Sequence, residues 1–241
     1  MSNAAAANGL QAVLALKGFR QLWIGQIFSQ LADKFYIVLM VFLIAQVWVG
    51  GTEVDNPALA EAAAAMKLDL ATRAQVITLL ATGIYVANTI PAVLLGMVAG
   101  VWADRWPKRA VMVASNGLRA LLVLFAPLCL LSGPQWLGLS WGYWGLVLMT
   151  FFESVLTQFF APAEQAAIPL LVPRELLLAA NSLYQATSMA ATIVGFALGE
   201  PILRLLNGAF LQLGLAGGEF LLLPFCYGLA AVCLSTIQMR E

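Results

Sequence analysis

The stretch GMVAGVWADRWPKRAVM, residues 96–112, decides the fold. It closes one apolar run, passes through Asp104, Arg105, Lys108 and Arg109 within six residues, and opens the next apolar run at about Ala110. Only 10% of the 241 residues are charged, so a cluster of this density marks a boundary. A short basic link between two apolar runs of membrane length stays on the cytoplasmic side, because Lys and Arg in short loops resist translocation. The orientation of every other segment follows from this turn.

Working outward, 62% of the chain is hydrophobic and its mean hydropathy is +0.89, well above the roughly half-apolar composition of soluble domains. Apolar runs long enough for a helix to cross ~30 Å of hydrocarbon occur near residues 22–49, 76–101, 110–131, 143–160, 179–203 and 220–237. The expected fold class is an all-α membrane protein with six transmembrane helices. With the first end inside, the cytoplasmic segments hold Lys17, Arg20, Arg105, Lys108, Arg109, Arg174 and Arg240, against Lys67, Arg73 and Arg204 outside. Both termini are therefore expected in the cytoplasm. The seven tryptophans (23, 48, 102, 106, 136, 141 and 144) fall near span ends, as amphipathic rings at headgroup level should.

Several function classes are excluded at this stage. Zero formal charge without a basic tail gives no reason to expect nucleic acid as a partner. Cys129, Cys226 and Cys233 lie in apolar spans and read as small hydrophobes, so neither metal nor disulfide is expected. The absence of histidine excludes a Ser–His hydrolase, one intramembrane aspartate is too few for an aspartyl protease, and no Gly-Lys-Ser/Thr phosphate loop occurs. The expectation is a non-enzymatic chain without cofactor. The first 16 residues lack a signal-peptide pattern, so no N-terminal removal is expected. Asn56-Pro57-Ala58 matches the water-channel triplet, but only one copy occurs, so it is read as coincidence.

Polar groups inside the spans mark the candidate site. In the first span Gln26, Gln30 and Asp33 lie at i, i+4 and i+7, on one helical face. In the fourth, Thr150, Glu153 and Thr157 make a second stripe. A carboxylate at this depth costs several kcal/mol unless it meets a partner or water, so Asp33 and Glu153 are binding candidates. The bland alternative is that they lock helices together. Arg119, in the third span, is expected to snorkel to the interface or else to pair with a core acid. The 50–73 link is expected to carry a short outer helix at 57–68, Pro91 to bend the second span, and Gly96-x-x-x-Gly100 to admit another backbone. Prolines 162, 169 and 173 are expected to interrupt helix after the fourth span, with Glu164 cytoplasmic. Asp104 is expected at the start of the third helix. Glu200 and Arg204, at i and i+4, are expected to pair.

Gly100, Asp104, Arg105, Lys108 and Arg109, in GVWADRWPKR, resemble the loop motif G-x-x-A-D-R-x-G-R-R between the second and third helices of the major facilitator superfamily, with Pro107 where that pattern has Gly. The segment FFAPAEQAAIPLLVPRELLLAANSL (159–183) resembles the link between helices 4 and 5 in bacterial exporter branches, including the enterobactin-exporter-like group. Gly195-Phe-Ala-Leu-Gly199-Glu200-Pro201 is similar to the exporters' fifth-helix glycine motif, with Phe196 replacing its proline.

The resemblance implies half of a major facilitator fold: one bundle of two inverted three-helix repeats, about 19–132 and 142–238. It implies that Gly100, Asp104, Arg105, Lys108 and Arg109 form a conformational latch. It also implies a bacterial inner-membrane location, a small-molecule substrate and lipid as partners, and a second six-helix bundle as the missing carboxy-terminal half or a homodimer partner. The function expected is ion-coupled export of a small amphipathic molecule by alternating access, with Asp33, Gln26, Gln30, Thr150, Glu153 and Thr157 lining the polar cavity. The alternative is a half-size, non-transporting subunit that scaffolds or regulates a larger complex.

Overall fold

In hydrocarbon every backbone N–H and C=O must be satisfied within its own segment, so long apolar runs become helices. The computed structural model describes residues 3–45, 70–131, 134–137, 139–214 and 217–239. A short helix, α1 (Asn3–Ala15), precedes six long ones: α2 (Lys17–Leu43), α3 (Leu70–Arg105), α4 (Lys108–Leu124), α5 (Trp141–Leu171), α6 (Leu177–Gln212) and α7 (Leu222–Ser235). A 3-10 turn, Ala126–Leu130, extends α4. Between α4 and α5, β1 (Gln135–Trp136) and β2 (Leu139–Ser140) pair antiparallel. Six stretches are long and apolar enough to cross a membrane, counting the 3-10 turn after α4 and another, Gly218–Phe220, that leads into α7.

Two boundaries correct the sequence expectations. Helix α5 runs unbroken through Pro162 and Pro169, because in a membrane bundle neighbouring groups take up the backbone partners a proline releases. Glu164 is therefore not in a cytoplasmic link but 1% exposed within the bundle. Asp104 lies in the last turn of α3, four residues before α4 begins, and its side chain is outside the described part. Helix α3 continues through Pro91 as a single element. The helix expected at 57–68 and Trp48 lie outside the described residues.

The packing has a simple order. α3 packs on α5, α5 on α4, α4 on α7, α7 on α2, and α2 on α6, giving an arc with α3 and α6 at its ends. Exchanging α2 with α5, α3 with α6 and α4 with α7 maps this set of pairings onto itself. Each exchanged pair is separated by an odd number of crossings, so its members run in opposite directions, as two inverted three-helix repeats require.

Glycines set the closest approaches. A Cβ on Gly195 would run into Lys34, and one on Gly199 would stand 3.0 Å from Val38 Cγ2, so these two residues seat α6 on α2. On the opposite flank a Cβ on Gly83 of α3 would meet the Tyr143 hydroxyl of α5. Gly96 and Gly100 behave differently from expectation. Among the described residues nothing lies within 4 Å of a Cβ on Gly100, and only Gln158, at 3.9 Å, approaches Gly96. Their face of α3 is open, with Val93 78% and Met97 90% exposed beside it.

Gly195→Leu should therefore overpack the α2–α6 contact and lower stability by ~1–3 kcal/mol. Gly117, on an open face of α4, should accept Ala with no loss. Thermal unfolding of both variants in one detergent checks the contrast; equal melting temperatures would count against the packing described.

Candidate functional site

Two apolar clusters fill the bundle. One, toward the β1–β2 end, contains Leu39, Leu43, Leu146, Leu203 and Leu223. The other, toward the basic turn, contains Phe19, Met112, Ala163, Ile168 and Leu234. Polar side chains from four helices meet between them. Arg119, about 17 Å along α4 from Lys108 by the helical rise, is fully buried. Its Nη1 donates to Asp33 Oδ1 of α2 at 3.2 Å and to Ser29 Oγ at 3.3 Å. Its Nε stands 4.0 Å from Glu153 Oε1 of α5. Tyr227 of α7 donates through its hydroxyl to Asp33 Oδ1 at 2.8 Å, and its oxygen is 3.2 Å from Glu153 Oε1. The guanidinium also lies over the Phe160 ring at 4.9 Å and near the Tyr227 ring at 5.5 Å.

This arrangement joins one cation to two carboxylates. Coulomb attraction at these separations, in a medium more polarisable than hydrocarbon but drier than water, offsets much of the cost of removing three charges from solvent. Aromatic faces add a cation–π contribution. Arg119 Nε and Nη2 make no hydrogen bond within the described structure, so the guanidinium holds unused donors beside Glu153. The site is not uniformly sealed: the Asp33 side chain is 26% exposed, against 5% for Glu153 and 0% for Arg119.

Of the six expected binding residues, the structure brings Asp33, Glu153 and Thr157 together; Thr157 donates to the Glu153 backbone carbonyl at 3.1 Å and lies 3.4 Å from its carboxylate. Gln30 is half-buried and accepts from Ser188 of α6 at 2.8 Å. Gln26 and Thr150 correct the expectation that they line a cavity. Gln26 is 1% exposed and donates to the Tyr184 carbonyl, while Thr150 is fully buried and shares a 2.9 Å hydrogen bond with Tyr36. In the expected latch, Gly100 belongs to α3, Arg105 ends it, and Lys108 and Arg109 open α4 after only Trp106 and Pro107. Arg105 and Arg109 are exposed.

Arg119 does not snorkel. Its helix carries Met112, Ser115, Asn116, Arg119 and Val123 on one buried face and exposes Leu118, Leu121 and Leu124. The polar stripe faces inward, and the spacing 112, 115/116, 119, 123 was a readable sign of it. Tyr227 is not among the expected site residues, yet a phenol in a membrane span needs a partner, and it is the polar-tipped side chain on the face of Leu223, Ala230 and Leu234. Glu164, one oxygen of which accepts from Tyr184 at 2.8 Å, lies eleven residues after Glu153 on the same face of α5. Glu200 and Arg204 pair as expected, Nη2 to Oε1 at 2.7 Å.

A family model described as Major Facilitator Superfamily matches residues 22–237. Two curated relatives, each named an uncharacterized MFS-type transporter, come from Mycobacterium bovis and Mycobacterium tuberculosis. Each is 30% identical over 113 residues, which covers 47% of this chain and 24% of the relative. The matched stretch thus spans about a quarter of the length of these relatives. No solved structure matches.

Removing Arg119 alone, as Arg119→Leu, leaves two carboxylates buried without their cation and should cost ~3–5 kcal/mol. Combining it with Asp33→Asn should recover part of that loss. A double-mutant cycle on thermal unfolding in detergent reads the coupling directly; strictly additive losses would mean that the two side chains do not interact.

Proposed function

Because the chain belongs to the Major Facilitator Superfamily of membrane transporters, we propose that it is the amino-terminal bundle of an ion-coupled exporter of small amphipathic molecules. Asp33 and Glu153, held around Arg119, are its coupling site. One observation carries this reading: a buried cation is shared by carboxylates from α2 and α5, the first helices of the two repeats, with one carboxylate partly open. A carboxylate that gains a proton loosens its hold on Arg119, and the hold of the other tightens. The helix pairing through the cluster then changes with ion occupancy, as coupling in alternating access requires. Gln30 and Thr157, half-buried beside these acids, are the substrate-side candidates.

The open faces of α3 and α6 support a second bundle as the opposite wall. Both helices flank the arc, and both present apolar side chains outward, Val93 and Met97 on one, Met189 and Ile193 on the other. The turn from Gly100 through Asp104 and Arg105 to Lys108 and Arg109 is the proposed latch at the cytoplasmic end of that contact, with both termini on the same side of a bacterial inner membrane. Placement on one side has internal support: Gln21, near the start of α2, bonds Thr236 just past the end of α7, and a Cβ on Gly18 would touch Leu171 at the end of α5.

The second reading is a half-size subunit that scaffolds a larger complex. It is favoured by the completeness with which Gln26, Ser29, Asn116 and Thr150 satisfy one another or their neighbours inside the bundle.

In a transport-competent assembly containing this chain, Asp33→Asn and Glu153→Gln should each abolish export driven by a pH gradient while leaving the protein in the membrane. Undiminished export by both variants would transfer the decision to the scaffold reading. A membrane-impermeant maleimide should label Arg105→Cys in inverted vesicles and not in intact cells; labelling of intact cells would invert the orientation.

A further inference from the structure

We propose that Lys34 binds the head of an amphipathic organic anion, a carboxylate or sulfonate, whose apolar body lies in the groove between α2 and α6. Granted the transporter function proposed above, on which this rests, that anion is the substrate class. Lys34 is a half-buried cation deep in α2. By the helical rise it lies ~26 Å along the helix from Lys17 and ~14 Å from Leu43. Helical side chains lean toward the N-terminus, away from the nearer end, so Lys34 has no short route to an interface. Among the described residues it makes no hydrogen bond and no ion pair. The acids on the two helices that meet at Lys34 are committed elsewhere. Asp33 is held by Arg119 and Tyr227, and successive residues of a helix do not face each other. Glu200, the acid of α6, is held by Arg204 at 2.7 Å. A cation at this depth without a counter-ion is costly, and a ligand that brings the counter-ion removes the cost.

The groove gives that ligand its shape. It has a volume of about 300 Å³ and is walled by Ile37, Val38, Val41 and Phe42 of α2, Phe196 of α6 and Tyr85 of α3. It begins one turn beyond Lys34, whose stem occupies the space where a Cβ on Gly195 would stand, next to Phe196. At its far end are Glu200 and Arg204, the guanidinium 5.8 Å from the centre of the Phe42 ring. That pair cancels its own charge. The groove therefore has a neutral outer end, an apolar and aromatic middle, and an unbalanced ammonium at its inner end. This order fixes the polarity of the ligand: anionic head toward Lys34, apolar body along Phe42 and Phe196. A cationic amphiphile would set its charge against Lys34, and a neutral one would leave the ammonium unpaired. Gln30, one turn before Lys34 on the same face of α2, falls on the head's side of the groove.

The site is tested on the full chain in nanodiscs of neutral phosphatidylcholine with tritiated 1-naphthaleneacetate, the displaceable part of the bound label being read by scintillation proximity. The acid should bind saturably, and the matching amide and 1-naphthylmethylamine should compete about tenfold more weakly or worse. Lys34→Gln should lower affinity for the acid about tenfold or more and erase its advantage over the amide. Lys34→Arg should retain both, and Val41→Trp, which fills the groove, should abolish binding with the charge in place. No displaceable binding of the acid by the wild-type chain would overturn the proposal, as would equal competition by amide or amine, or Lys34→Gln binding like wild type. So would a dimer in the nanodisc that Lys34→Gln dissolves, because the counter-ion would then belong to a second copy. The three competitors on the wild-type chain decide the matter even if a variant fails to fold. Binding needs no gradient, so the two readings fail separately. Anion binding without ion-coupled export would sink the export reading alone, and export indifferent to Lys34→Gln would sink the substrate class alone.

Discussion

A guanidinium sealed inside an apolar helix bundle is the constraint on which the rest depends. Arg119 is fully buried, and it has no route to the interface because its helix turns the leucine face outward and the polar face inward. A charge in that position demands compensation within a few ångströms. Asp33 from α2, Glu153 from α5 and Tyr227 from α7 supply it, so four helices must converge at one level. A well-packed apolar core would be as stable or more so. Stability alone does not account for the cluster, which is why an ionic role is the stronger reading.

The convergence also explains the division of labour among helices. α2, α4, α5 and α7 contribute the side chains of the central cluster, while α3 and α6 stand at the ends of the arc, each touching mainly one partner. Glycine makes both flanks possible in the same way: Gly83 of α3 admits Tyr143, and Gly195 and Gly199 of α6 admit Lys34 and Val38. Without a hydrophobic force between helices in lipid, such close approach supplies the packing attraction that holds a flanking helix. The exchange symmetry of the pairings is thus carried by matching chemistry as well as by topology.

Much of this was legible in the sequence, and the failures share a cause. The six spans, the basic turn, the inward placement of Asp33 and Glu153 and the Glu200–Arg204 pair follow from local rules of length, charge and spacing. Arg119, Tyr227 and Glu164 were misplaced or missed because their surroundings are set by other helices. A long cationic side chain in an apolar span reads as snorkelling until the face it shares with Ser115 and Asn116 is seen to be the buried one. Pro162 reads as a helix end until the bundle around α5 is present to tolerate it. Tyr227 carries no signal in its own apolar run, and acquires meaning only beside Asp33 and Glu153. Gln26 and Thr150 show the opposite error: their helical spacing is right, but the neighbouring Tyr184 and Tyr36 absorb their polarity.

The exposures within the cluster impose an order of access. Asp33 is the wet corner, a quarter open, whereas Glu153 and Arg119 are sealed behind it. On the proposed reading, an ion arriving from water would meet Asp33 first. If it is a proton, Asp33 ceases to balance Arg119, and the guanidinium's nearest remaining anion is Glu153, now 4.0 Å away with an unbonded Nε facing it. Tyr227, which lies within hydrogen-bonding distance of both acids through one hydroxyl, can donate to only one of them at a time. Neutralising Asp33 therefore frees that hydroxyl for Glu153 at the same moment. Both shifts act in the same sense, moving the cluster's weight from α2 toward α5.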